Sequence, residues 1–300
     1  MGIIEIHNLT KDYGLSRGIF DVSLEVKKGE IFGFVGTNGS GKTTTIRNMM
    51  GFIKPDYGSV RILDQEVNYN TEYLMKHIGY VPGEISFPDI GDGNAFIKIQ
   101  AEMIGLKNMD YANYLIKKLG LDTSANLKRM SKGMKQKTAI VCGFMGKPDI
   151  LILDEPSTGL DPLMRELFVD ILIEAKQRGA TIFMSSHVFE EIEKTCDRVA
   201  LLHNGNIIDI VNMKVIHHNE LKTYKIEFES NEDYQKFLKE QINLISKKDI
   251  YHQVTVDIMD NQINNLMRTL SMYKVKYIKE EKYTLEKYFL KKIIEEKKND

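Results

Sequence analysis

Residues 36–44 read Gly-Thr-Asn-Gly-Ser-Gly-Lys-Thr-Thr and fit the spacing G-x-x-x-x-G-K-[ST]. That spacing suits one chemistry, the binding of nucleotide phosphates. Gly36, Gly39 and Gly41 let the backbone curl around Asn38 until its N–H groups converge on phosphate oxygens. The helix expected from Lys42 onward adds its N-terminal dipole to the same anion. Lys42 is placed to bridge the β- and γ-phosphates, the Thr43 hydroxyl to coordinate Mg²⁺, and Thr44 continues the loop into the helix. A second segment, ILILDEP at 150–156, ends an apolar run on two carboxylates. Asp154 at the strand end is suited to hold Mg²⁺ through water, and Glu155 to polarise an attacking water. Taken alone, DEP reads equally well as a strand-end turn. With the glycine loop present, the catalytic reading prevails.

These groups need a rigid frame. IFGFV (31–35), DILILD (149–154), ATIFMSS (180–186) and RVALL (198–202) are short, nearly continuous apolar runs, as expected of strands buried on both faces. Helical patterns at 42–51, 111–119, 132–146, 162–178 and 188–195 lie between them, which predicts an α/β fold with a parallel sheet. IIEIH, DVSLEV and SVRIL near the start alternate instead, as half-exposed antiparallel strands do. After residue 214 the order becomes β-α-β-β-α-β, the split βαβ or ferredoxin-like pattern. A final helix follows, with Leu285, Phe289 and Ile293 on one face. The texture change sets a boundary at 212–215, giving domains 1–212 and 213–300.

The net charge of −1, with 28% charged residues, offers no general attraction to nucleic acid or anionic lipid. Two cysteines are neither a disulfide framework nor a zinc set and read as reduced core thiols. The adjacent His217 and His218 point apart in most backbones and do not read as a metal site. The start shows no basic and apolar leader pattern, and Ile6 stands where a myristoylation motif needs Ser or Thr. No apolar run approaches about 18 residues, so a membrane role calls for a separate membrane chain.

Further motifs carry a family resemblance. SKGMKQK (131–137) resembles the signature motif of ABC transporter ATPase subunits, usually LSGGQ, with Ser131 and Gly133 matching and Met130, Lys132 and Met134 departing. STGLD (157–161) resembles the D-loop ending in Asp161, SSH (185–187) supplies a switch histidine at His187, and KDYG (11–14) offers Tyr13 for stacking on adenine. The resemblance covers residues 1–212. It implies a P-loop NTPase with a RecA-like core, an antiparallel β subdomain and a helical subdomain at about 86–146. It also implies ATP and Mg²⁺ as ligands, with His187 on the γ-phosphate and catalytic roles for Lys42 and Glu155. No guanine-reading NKxD motif is present, consistent with ATP. Alone, SKGMKQK reads as a Ser N-cap on a basic helix, His187 as a surface histidine, and Tyr13 as a packing aromatic.

Where most members place a glutamine, this chain has Pro82-Gly83-Glu84. Gly83 has no side chain to touch the metal, so either Glu84 or water substitutes, or the segment is a plain turn with a solvated carboxylate. The variant resembles the ABC-2 type drug and peptide exporters of bacteria. On that likeness the chain sits at the cytoplasmic face of the cell membrane and powers a polytopic membrane subunit. It pairs head to tail as a homodimer, or as a heterodimer with a second ATPase. Nucleic acid is not an expected partner. Amphipathic peptides, bacitracin-like antibiotics and lipids are the implied cargo classes. Phe87, Ile90 and Phe96 either line the groove for the membrane subunit or belong to the subdomain core. Two other readings stay open, a soluble ATPase of this family acting on ribosomes or DNA, and a module that binds ATP without hydrolysing it.

Overall fold

The computed structural model describes residues 2–68, 72–218 and 220–299. Ile4–Asp12 (β1) and Gly18–Val26 (β2) pair antiparallel. Alternation turns Ile4 and Ile6 of one strand and Val22, Leu24 and Val26 of the other into the core, and register shifts after Ile6 and Leu9 bring in Leu9 and Ile19. Ile31–Gly36 (β3) leads through the glycine loop into Lys42–Met49 (α1), and Tyr57–Ile62 (β4) and Gln65–Glu66 (β5) follow. The first sheet has the order β2-β1-β4-β5 and is antiparallel throughout, as the alternating runs require.

Glu72–Met75 (α2) precedes Ile78–Val81 (β6). A helical excursion follows, Gly93–Met103 (α3), Asp110–Lys118 (α4) and Lys132–Phe144 (α5). The Asp92 side chain caps α3 by accepting from the Ala95 amide at 2.9 Å, so the run SFPDIGDG is a loop only until that cap. Phe87 and Phe96 pack together with ring centroids 4.7 Å apart, while Ile90 is exposed. The chain then passes through Ile150–Asp154 (β7), Pro162–Gln177 (α6), Thr181–Ser186 (β8), Phe189–Thr195 (α7), Arg198–His203 (β9) and Asn206–Asn212 (β10). The second sheet runs β10-β9-β3-β8-β7-β6, and every pairing in it is parallel except β10 on β9. Strands β3, β7 and β8 are buried along their whole length, the physical reason their sequences are continuously apolar. The β9–β10 hairpin was not anticipated, because NIIDIVN lacks the full burial that marks the parallel strands.

Met213–His217 (α8) leads into Leu221–Phe228 (β11), Asn231–Phe237 (α9), Asn243–Lys248 (β12), Gln253–Met259 (β13), Ile263–Leu270 (α10), Val275–Glu281 (β14) and Leu285–Asn299 (α11). The antiparallel sheet β12-β13-β11-β14 turns Tyr224, Ile226, Phe228, Val254 and Val256 onto Tyr234 and Phe237 of α9 and Leu266 and Leu270 of α10. Register supports this, with Ile226 opposite Val254 and Tyr224 opposite Val256.

The chain divides into two compact units, Met1–Met213 with Lys292–Asp300, and Lys214–Lys291. The sequence reading assigned all of 213–300 to one domain. The stripe Leu285, Phe289 and Ile293 runs unbroken through α11, so nothing in the sequence marks the return at Lys292. Both cysteines are free thiols, and burial pushes each up to about 12. No helix of the described residues is long and apolar enough to cross a membrane.

Candidate functional site

The glycine loop joins the end of β3 to α1 at the carboxyl edge of the parallel sheet, where open α/β folds bind ligands. Each glycine has a specific task. A Cβ on Gly36 would stand 2.4 Å from the Leu202 carbonyl oxygen and 2.5 Å from Ser40 Oγ. Gly39 and Gly41 hold φ of +80° and +108°, the left-handed region that glycine enters freely. Gly41 is the N-cap of α1 and no side chain caps that helix, whose first turn also lacks an acidic residue. The first amides of α1 are therefore not satisfied from within by a side chain, which suits an anion. Lys42 is buried. Its Nζ donates to the Gly36 carbonyl at 2.9 Å and the Thr37 carbonyl at 3.1 Å, and lies 3.3 Å from Glu155 Oε1.

Strand order brings the second group of residues to this loop. Because β8 lies between β3 and β7, its end sits between the phosphate loop and Asp154. Asp154 is buried and accepts a 2.6 Å bond from Ser185 Oγ. Burial pushes its carboxyl above the usual range. The Ser185 bond, the Thr43 hydroxyl and the Lys42 charge pull the other way, and the Glu155 charge adds to the rise. Glu155 then takes a φ of +47°, uncommon outside glycine, and this turn is fixed by its amide donating to the Ser185 carbonyl at 3.2 Å and to Ser185 Oγ at 3.0 Å. The turn points the carboxylate back over the loop. One oxygen faces Lys42, and Oε2 lies 2.9 Å from His187 Nδ1.

Gly83, read from sequence as a missing contact, has a different role here. A Cβ at this position would lie 3.2 Å from Asp154 Cγ and Oδ2 and 3.3 Å from its carbonyl oxygen. The backbone at 83 thus packs against the buried carboxylate itself. Glu84 is exposed, and among the described residues no hydrogen bond or ion pair joins it to Lys42, Thr43 or Asp154. Gly83→Ala is expected to crowd Asp154 and cost about 1 kcal/mol of stability, the lower end of overpacking penalties. Thermal unfolding would measure it, and an unchanged Tm would mean that the loop gives way without cost.

The remaining predicted residues form a second cluster. Ser131 Oγ accepts from the Met134 amide at 3.2 Å, so it is the N-cap of α5. Gly133 approaches the turn after β7, where an added Cβ would meet the Gly159 carbonyl oxygen at 3.0 Å. Asp161 caps α6 by accepting from the Met164 amide at 2.9 Å. Gly133 thus faces the turn that ends at Asp161, and Ser131 caps the same helix start. Tyr13 is exposed in the turn between β1 and β2, with Lys11 Nζ 6.0 Å from its ring centroid. Sequence reasoning missed Ser185 and Thr37. Only the paired serines before His187 hinted at the first.

Comparison with known proteins shows the family. A family model described as "ABC transporter" matches residues 19–158. The bacitracin transport ATP-binding protein BcrA of Bacillus licheniformis is 36% identical over 213 residues, 69% of each chain. This chain belongs to the ABC transporter ATPase family. The ABC transporter ATP-binding protein YtrB of Bacillus subtilis is 28% identical over 294 residues, 97% of this chain and 98% of the relative, so that likeness extends through the second unit. A solved ATP-binding subunit of an ABC transporter superposes with a TM-score of 0.66 at 30% identity, covering 72% of this chain and 92% of that one. The ATP-binding cassette MJ0796, solved as a dimer with ADP and phosphate, shares the fold with a TM-score of 0.63 at 21% identity, covering 70% of this chain and 98% of the other. As an ABC ATPase, the chain binds ATP.

The residues also fit a divalent cation. Thr43 at the start of α1 and the buried Asp154 at the end of β7 are hard oxygen donors of the kind such an ion takes, and Gly83 sets no side chain against the Asp154 carboxylate.

Proposed function

We propose that this chain is the ATP-hydrolysing subunit of a bacterial exporter and drives a separate membrane subunit. The observation that carries the reading is Glu155, held between the buried Lys42 ammonium and His187 at the edge of the phosphate loop. Lys42 and the amides of α1 bind and orient the phosphates, Glu155 accepts a proton from the attacking water, and His187 holds the far side of the γ-phosphate. Tyr13 stacks on the adenine. Thr43 and Asp154 would hold Mg²⁺, which would supply neutralisation of phosphate charge when bound. Most of the rate gain comes from positioning and fixed charge.

Ser131 and Gly133 open α5, where Gly133 faces Gly159 of its own chain, and the reading assigns them to the ATP of a partner ATPase, identical or different, in a head-to-tail pair. The membrane subunit would dock at the loop before α3, where Ile90 is exposed, and the reading puts the complex at the cytoplasmic face of the membrane. BcrA and the linearmycin resistance protein LnrL of Bacillus subtilis, 31% identical over 213 residues, carry names of antibiotic transport or resistance. Amphipathic antibiotics or peptides are the cargo this supports. The transporter relatives also weigh against a soluble role on ribosomes or DNA. The test is affinity capture of the tagged chain from detergent-solubilised native membranes with mass spectrometry. Stoichiometric recovery of a polytopic membrane protein, with any second ATPase, is expected. Recovery of ribosomal or DNA-bound proteins alone would overturn the reading.

A further inference from the structure

Glu191, on α7, is buried, yet only one of its carboxylate oxygens is satisfied. Its Oε2 accepts from Ser157 Oγ at 2.6 Å and from Ser186 Oγ at 3.3 Å. Its Oε1 is buried with no hydrogen-bond partner among the described residues, and so is Nε of Arg165 on α6. Burial pushes the Glu191 carboxyl above the usual range, against the pull of the two serines and of the Arg165 charge. A half-satisfied buried carboxylate contributes little to a fold, and replacing such groups by neutral ones is often neutral or stabilising. Stability alone therefore does not account for it.

Its two serine partners do. Ser157 lies two residues beyond Glu155 in the turn that follows β7, a turn closed by the Thr158 amide on the Glu155 carbonyl at 3.1 Å and the Leu160 amide on the Ser157 carbonyl at 3.1 Å. Ser186 ends β8 directly before His187, and its Oγ also accepts from the Val188 amide at 2.9 Å. A single oxygen atom thus ties together the two strand-end turns whose side chains, Glu155 and His187, meet at 2.9 Å. The same turn runs on to Gly159, which faces Gly133, and to Asp161. We propose that Glu191 is a positioning residue for ATP hydrolysis: it sets the register between Glu155 and His187 and links it to the 157–161 turn. The proposal rests on the hydrolytic reading above.

The test compares ATP turnover, KM for ATP and Tm of the full-length chain in wild type, Glu191→Gln, Ser157→Ala and the double variant, with Glu155→Gln as the inactive control. A displacement of about 1 Å costs on the order of 10²-fold in rate. Glu191→Gln is expected to lower kcat at least about tenfold, with KM within about twofold and Tm equal to or above wild type. The Tm sign follows from the raised carboxyl. The folded state favours the uncharged form, so at neutral pH a neutral amide removes a cost. The double variant is expected to be no slower than the slower single one, since both break one link. Ser157→Ala alone carries the test should Glu191→Gln fail to fold. Unchanged kcat, or a kcat loss that tracks a falling Tm and rising KM, would overturn the proposal. A wild type no faster than Glu155→Gln would instead overturn the hydrolytic reading itself, and the proposal with it.

Discussion

Glu155→Gln is expected to lower ATP turnover by roughly 10²–10⁴-fold, the usual contribution of a general base, while ATP still binds. The amide keeps the volume of the carboxylate but cannot take a proton from water. The neighbours sharpen the expectation. In the wild type, Lys42 Nζ lies 3.3 Å from Glu155 Oε1, so the base and the substrate phosphates draw on the same ammonium. With the charge at 155 gone, Lys42 has one fewer anion to serve, and affinity for ATP is expected to hold or tighten. Single-turnover hydrolysis with radiolabelled ATP and equilibrium binding of a fluorescent analogue check the two halves separately. Turnover within threefold of wild type would remove Glu155 from the chemistry. Lost binding would make it part of the phosphate cradle instead.

The features legible in the sequence are those that local spacing determines. The loop 36–44 must lie between a buried strand and a helix, and ILILD can only be a strand buried on both faces. What stayed hidden are contacts between residues distant in sequence. Ser185 reaches Asp154 across 31 positions, and Ser157 reaches Glu191 across 34. These pairings follow from placing β8 between β3 and β7, a topological fact that no single run of residues carries. Gly83 is instructive in another way. Read against its relatives it is a lost side chain. In the fold it is the only residue type whose backbone can press against Asp154 without crowding it. Ser131 shows that two readings of one motif are compatible, since an N-cap of α5 is also an anion-facing helix start.

Lys42→Ala is the second large effect expected, and it falls on binding first. Removing a charged donor to the phosphates costs about 2–3 kcal/mol, roughly 10²-fold in affinity for ATP. It also leaves Glu155 Oε1 and the Gly36 and Thr37 carbonyls without the donor they share. Lys42→Arg is not expected to rescue. The guanidinium fork is wider than an ammonium, and the backbone carbonyls at 2.9 and 3.1 Å leave it no room without moving the loop. The double variant Lys42→Ala with Glu155→Gln separates the two losses. If the stability cost of the single variant comes from an uncompensated Glu155 charge, the double variant regains the lost Tm and remains unable to bind ATP. Isothermal titration with ATP and Mg²⁺, beside thermal unfolding of all four proteins, reads both quantities. A Lys42→Ala variant that binds ATP within threefold of wild type would mean that the loop's amides alone hold the phosphates and that the buried lysine serves the fold.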